Sequence, residues 1–443
     1  MTAFTVAAIL FLAAGAQPSS RLDHRFILPV GGEAVASITA GCDRCDWGLA
    51  GREAVVVRVT VDGDYSQHLI LARGASPASY RLMLGRLAAG PHRLTLERDT
   101  ERSSRDAGAI KVQAFSVHAF REGTPEHEWL SHAPFLYARP GTVERFSDLP
   151  VMMWVERTSP PADDFRYTVI FTHEDGGTPT DRLMATWGRT TDIEFVYSTG
   201  RAPDGVIREE IQGKNHEILP FRGRRFGAHP LLWVATDNNM VADSGPETIR
   251  FGLAPELVSL ENVSREAVMD ANPWTYSVMS AELRREGRLD PAAKPGSAKV
   301  PDSRRFAYLE GCGELDRATA AFDVAIRAGG GATEWHATDR GDPRFRIARS
   351  GCFRAAVPLP PGTTVGMITG VRMRAFTRPP REDEPALPPG TGRVTLQRLN
   401  GVFMLDQRYR PGTPRLRWAG TIETRGEAEA VRVPVPPSAG RTR

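Results

Sequence analysis

Apolar and polar residues alternate with a period of two over short stretches along most of the chain. Val57, Val59 and Val61 alternate with Arg58 and Thr60, giving one apolar and one wet side. Asp62-Gly63 follows at once, a pair suited to the positive φ of a tight hairpin, and Leu69 and Leu71 lie on the returning strand. Leu82-Met83-Leu84, Gly90-Pro91, then Leu94 and Leu96 repeat the theme. Ile110 and Val112 begin a further alternation that changes face by Phe115 and Val117, as a bulge would make it do. Short strands at this spacing predict a β-sandwich over residues 20–122.

Residues 123–290 differ in texture. The runs Met152–Val155, Tyr167–Phe171, Ile193–Tyr197 and Leu231–Val234 read as strands, separated by turns rich in acids, histidines and glycines. Helix signals come late: Ser264 as a cap for a short helix through Met269, then Asn272-Pro273 as N-cap and first position of a second. Trp274, Val278 and Ala281 recur at helical spacing as a core stripe, and Gly287 can end that helix. Residues 287–304 read as a linker. Alternation returns in 305–443, with Phe322, Val324 and Ile326 on one face and Val371, Met373 and Ala375 on another. Asn400-Gly401 is expected to join the strands Val394–Leu399 and Val402–Leu405. The fold class is therefore mainly β and multidomain: β-sandwiches flank a β-rich middle domain with one or two short helices near 264–286.

Composition agrees with this reading. The 42 glycines and 34 prolines among 443 residues favour many turns over long helices. A net charge of +3, from 56 basic and 53 acidic groups, gives no long-range field to gather nucleic acid. The apolar stretch 3–16 is too short to span a bilayer but matches a secretory core, and Ala14-Gly15-Ala16 supplies a cleavage pattern, so 1–16 reads as a signal peptide. The expected location is secreted or periplasmic, with no membrane span after signal removal. In an oxidising compartment the four cysteines suggest disulfides, most simply Cys42 with Cys45 and Cys312 with Cys352. Half of a zinc site and a redox-active pair are the alternatives for Cys42 and Cys45.

Candidate chemistry concentrates in the middle segment. His173-Glu174-Asp175-Gly176-Gly177 follows the strand ending at Phe171, where the strand fixes position and the glycines permit close approach. Asp192 and Glu194 share one strand face with Cα atoms about 7 Å apart, a spacing open to acid and base roles or to holding a cation. Glycosidases use such carboxylate pairs. Trp187 could stack on a sugar ring, with Arg189, Gln212, His216 and His229 as further substrate-binding candidates. Asp237, Asn239 and Asp243 offer hard oxygens to Ca²⁺, the one cofactor for which there is a case, although the loop lacks the glycine and terminal glutamate of an EF-hand. Asn262-Val263-Ser264 matches a glycosylation sequon.

His132–Tyr137 with Phe146-Ser147-Asp148-Leu149-Pro150, the acidic strand Asp192–Val196, and His229–Ala235 together resemble a vacuolar-protein-sorting-associated domain family of unknown function, over about 132–260. The resemblance implies a β-rich domain and no settled activity. The functional expectation is an exported protein directed at a polysaccharide or other extracellular polymer. Hydrolysis would use Asp192 and Glu194, with His173 or Asp175 nearby. The alternative is a non-catalytic carbohydrate- or surface-binding protein of the cell envelope. The first requires these ionisable groups to meet around one hollow.

Overall fold

The computed structural model describes residues 20–158, 164–201, 205–327, 329–382 and 384–434. The segment 1–16 read as an export signal lies outside them. Among the described residues no helix is long and apolar enough to cross a membrane. The chain is mostly β and divides into two compact units. One runs to Gly177 and takes in Thr191–Ser259; the other comprises Thr178–Thr190 and Leu260 onward. Division by compactness thus differs from division by texture. The N-terminal sandwich and most of the middle segment form one unit, and the late helices go with the C-terminal strands.

The N-terminal sandwich packs a four-stranded sheet, in the order Arg21–Leu28, Gly90–Arg98, Val56–Val61, Asp64–Ile70, on a three-stranded one of Ala78–Leu87, Gly32–Cys42 and Ile110–Phe120. Period-two alternation places Val57, Val59, Leu94 and Leu96 in the core between them. Asp62 and Gly63 turn the hairpin with φ of 54° and 102°. The face change after Val112 is a bulge. Thr39 faces Ala114 and Ala40 faces Val112, which leaves Gln113 as the extra residue.

In the same unit, a six-stranded sheet runs Ile218–Pro220, Ile207–Gln212, Asp192–Arg201, Phe165–Phe171, Pro150–Arg157, Glu256–Leu257. It shares a core with a smaller sheet built on His229–Val234 and Phe135–Tyr137, which pair in parallel. Trp233 and Tyr137 stack across that pair at 4.9 Å.

The second unit is a sandwich of two four-stranded sheets. One runs Gly351–Pro358, Phe306–Asp316, Arg393–Phe403, Trp418–Arg425; the other runs Thr333–Ala337, Ala318–Arg327, Ile368–Thr377, Val431–Arg432. Phe322, Val324, Ile326, Val371, Met373 and Ala375 all lie in its core, as their alternation predicts. Asn400-Gly401 does not join two strands. Arg393–Phe403 is continuous, and Asn400 is the extra residue of a bulge opposite Glu310 and Gly311. Gly401 sits at φ 139°, where a Cβ would lie 2.8 Å from the Arg415 carbonyl oxygen.

Local capping also differs from expectation. Ser264 does not cap a helix, because its amide and hydroxyl both donate to Glu310, and the helix starts at Ala267. Asn272 closes that helix, its side-chain amide donating to the Val268 carbonyl, and Trp274–Arg285 begins after Pro273. Of the expected stripe Val278 is buried, whereas Trp274 and Ala281 are only partly so, and Tyr276, Met279 and Leu283 complete the buried face of the second helix. Gly287, at φ 67°, ends it as predicted. Residues 287–304 fold back on themselves, with Val300 donating to the Arg288 carbonyl and accepting from Asp290.

Both expected disulfides are present, Cys42 with Cys45 and Cys312 with Cys352. The second closes a loop 40 residues apart in sequence, the first only 3. Chain-entropy reasoning gives about 4 kcal/mol for the long loop and about 2 kcal/mol for the short one. Replacing Cys312 and Cys352 by serine should therefore lower unfolding stability roughly twice as much as replacing Cys42 and Cys45. Urea midpoints of the two double variants check this.

Candidate functional site

In the first unit the strand Phe165–Phe171 opens into His173–Gly177 beside the start of Asp192–Arg201, where Phe171 pairs with Asp192. The turn 236–239 closes over this corner. Asn239, fully buried at φ 59°, donates through Nδ2 to Asp192 Oδ2 (3.0 Å) and to the His173 carbonyl (3.1 Å). Gly176 allows the close approach, since a Cβ there would lie 2.6 Å from Asn238 Cβ. From the same turn Asn238 reaches His216 at 3.4 Å, and His216 contacts Gln212 at 2.8 Å. The sequence-predicted residues His173, Asp192, Gln212 and His216 are thus linked through one turn. Glu194 lies two residues along the strand from Asp192 and, like it, is buried.

Asp175 belongs to a neighbouring network absent from the sequence-based set. Its Oδ2 accepts from Arg145 (2.8 Å) and Arg139 (3.3 Å). Arg139 also donates to Asp148, whose Oδ1 accepts the Asp175 amide at 3.2 Å. Burial, then the Asp175 carboxylate, pushes Asp148 up to about 9. Burial alone would raise Asp175 too, but the hydrogen bond from Asp148 and the facing cations hold it below its ordinary value. The pair is unequal: Asp148, enclosed, keeps the proton, and Asp175, half-buried, carries the charge. A signal for Asp148 existed only in the Phe146–Pro150 stretch; nothing in sequence placed it beside Asp175.

The remaining candidates lie elsewhere. His229 is buried, with Nδ1 at 2.9 Å from the Ala133 carbonyl and Nε2 at 3.0 Å from Glu33. A carbonyl only accepts, so Nδ1 donates to it, and Nε2 faces the Glu33 carboxylate. The histidine locks the middle strands to the N-terminal sandwich. Trp187 and Arg189 belong to the second unit. Trp187 ends the helix Thr180–Trp187 under the Arg349 guanidinium, and Arg189 is buried against Glu266 at 3.1 Å. Burial would raise Glu266, but Arg189 and nearby arginines outweigh it and bring it down to about 2. The calcium candidates are engaged separately. Asn239 holds Asp192 and His173, while Asp243 accepts from the Arg222 amide at 3.1 Å and Asp237 is exposed. Among the described residues no three His, Cys, Asp or Glu side chains gather as a metal site.

One further concavity was not legible beforehand. A groove of about 930 Å³ runs along the N-terminal sandwich where its edge strands Arg21–Leu28 and Ile110–Phe120 meet. His24 stacks on Phe115 at 4.5 Å, and Phe26 stacks on His92 at 5.5 Å. His92 Nδ1 meets Asp62 at 2.7 Å, and Asp23, Arg25 and Arg93 complete the border. The signal was the alternation in Leu22-Asp23-His24-Arg25-Phe26-Ile27, where aromatics interleave with charges.

No protein-family model matches the chain, and no curated protein matches it. Among solved structures it is similar to the CBM36-1 domain of a multidomain xylanase from the hindgut metagenome of Trinervitermes trinervoides, at 14% identity over 23% of this chain and 72% of that one, TM-score 0.18. It is similar to a family 35 carbohydrate binding module from Clostridium thermocellum at 17% identity, over 26% of this chain and 88% of that one, TM-score 0.17. With a Podospora anserina GH26-CBM35 β-(1,4)-mannanase the identity is 12%, over 25% of this chain and 21% of that one, TM-score 0.18. Likenesses this slight leave function to the chain's own chemistry.

Asp148 offers a direct check of the acid pair. Its carboxyl titrates near 3.8 unfolded and at about 9 folded, so between these limits the folded state holds one more proton. The resulting stabilisation is complete below the lower value and is lost as pH rises through the upper one, at up to about 1.4 kcal/mol per pH unit. Asp148→Asn should flatten the fall of stability between pH 5 and pH 9. Urea unfolding of both proteins across that range measures it, and equal slopes would contradict the assignment.

Proposed function

We propose that this chain is an exported glycan-binding protein, and that the groove on the N-terminal sandwich is its recognition surface. The carrying observation is the pairing of half-buried rings (His24, Phe26, His92, Phe115) with a charged border in one concavity. A pyranose presents flat C–H faces and a rim of hydroxyls. Aromatic rings take the first, and carboxylates and guanidinium groups such as Asp23, Asp62, Arg25 and Arg93 take the second. Two disulfides suit an oxidising, extracytoplasmic compartment. The resemblance of residues 132–260 to the vacuolar-protein-sorting-associated family enters this proposal only as a β-rich frame.

Binding is favoured over hydrolysis by accessibility. Asp192, Glu194 and His173 are 2%, 8% and 1% exposed. A second reading, hydrolysis, rests on the unequal pair. Asp175 is the member that meets water, and Asp148 holds a proton in reserve.

Affinity electrophoresis of the full chain against xylan, mannan, cellulose derivatives and pectin tests the proposal. At least one polysaccharide should retard the protein, and His92→Ala and Asp62→Ala should each weaken that binding about tenfold with an unchanged circular dichroism spectrum. Wild-type mobility unaffected by every polymer would refute it. Reducing ends released by wild type but not by Asp175→Asn would establish the hydrolytic reading instead.

A further inference from the structure

The sheet Gly351–Pro358, Phe306–Asp316, Arg393–Phe403, Trp418–Arg425 turns Leu309, Phe353 and Val402 into the second unit's core. Its opposite face therefore carries Glu310, Arg354 and Phe403, since successive side chains alternate. On that face Arg354, 1% exposed, donates to Glu310 at 2.7 Å and to Asp270 at 2.8 and 2.6 Å. It also lies 5.0 Å from the Phe403 ring. The helices Ala267–Ala271 and Trp274–Arg285 supply Asp270 and Tyr276 to this network, with Tyr276 accepting from Arg354 at 2.7 Å.

The cover is incomplete. A cavity of about 520 Å³ remains, lined by Arg354, Glu310 and Asp270 together with Arg398 and Arg417. Arg398 and Arg417 are exposed, and neither guanidinium makes a hydrogen bond or ion pair among the described residues. Trp418, paired with Leu399, packs instead on the core face of the sheet, and the Asp270 side chain keeps 29% exposure. With three arginines against two acids, the cavity carries a surplus of positive charge.

We infer that this cavity is a second saccharide site, specific for a pyranose bearing a carboxylate. The planar guanidinium fork of Arg398 or Arg417 takes the carboxylate, and Asp270 accepts from ring hydroxyls. The buried Arg354 is a positioning residue that holds Asp270 at the floor. The inference is independent of the N-terminal groove and holds whether or not that groove binds glycans.

Isothermal titration of the full chain with trimers of galacturonate, glucuronate and mannuronate, against neutral trimers of the matching sugars, tests it. At least one uronate trimer should bind more tightly than its neutral counterpart, with affinity falling as salt rises. Arg398→Ala and Arg417→Ala should each weaken it about tenfold without moving the melting temperature, and His92→Ala should leave it unchanged. Equal binding of neutral and acidic trimers, no binding of any uronate, or loss in His92→Ala with the arginine variants intact would overturn the inference. The last result would place acidic sugars in the groove and leave the proposed function standing.

Discussion

A guanidinium withdrawn from water must be met on all sides by acceptors, or the fold that encloses it is lost. Arg354 shows what this demands. Glu310 from the adjacent strand, Asp270 from one short helix and Tyr276 from the next all converge on it. Glu310 in turn takes the amide and hydroxyl of Ser264, which fixes the approach to those helices. The helices are thus tied to the sheet by one cation as well as by apolar packing. Arg189 with Glu266 repeats the device in the same unit. Only Lys111, Lys214, Lys294 and Lys299 among the 56 basic residues are lysines, and that preference for arginine acquires a structural use here, because a rigid fork can satisfy several acceptors at once.

The first unit depends on a related constraint with neutral partners. Gln67 donates to the Met83 carbonyl at 2.6 Å and accepts from the Gly252 amide at 2.8 Å, which ties strands of the sandwich to a segment far along the chain. Asn239 does the same for His173 and Asp192. Acids and amides that look like chemistry in a sequence are here the fasteners of irregular backbone, which has no ladder to satisfy it.

That difference explains what was legible in the sequence. Alternation is local, so the strands, the Asp62-Gly63 hairpin, the Gln113 bulge and the C-terminal core could be read from neighbouring residues. Cysteine parity and spacing gave both bridges. What failed depended on partners distant in sequence. Ser264 looked like a cap until Glu310 claimed it, and Asn400-Gly401 looked like a hairpin because a bulge and a turn use the same residues. Asp192 and Glu194 do share a strand face, but alternation cannot say whether that face is wet. The pairing of Asp148 with Asp175 and the meeting of His24, Phe26, His92 and Phe115 are products of topology.

The lock between His229 and Glu33 has an evolutionary implication. The two residues stand 196 positions apart in sequence, meet at 3.0 Å and are both buried. Losing one strands the other as an uncompensated buried group, whereas exchanging both for apolar residues of similar volume removes the demand altogether. Descendants of this sequence should therefore change these two positions together or not at all, and a lineage that had made the exchange would still keep the middle strands seated on the sandwich.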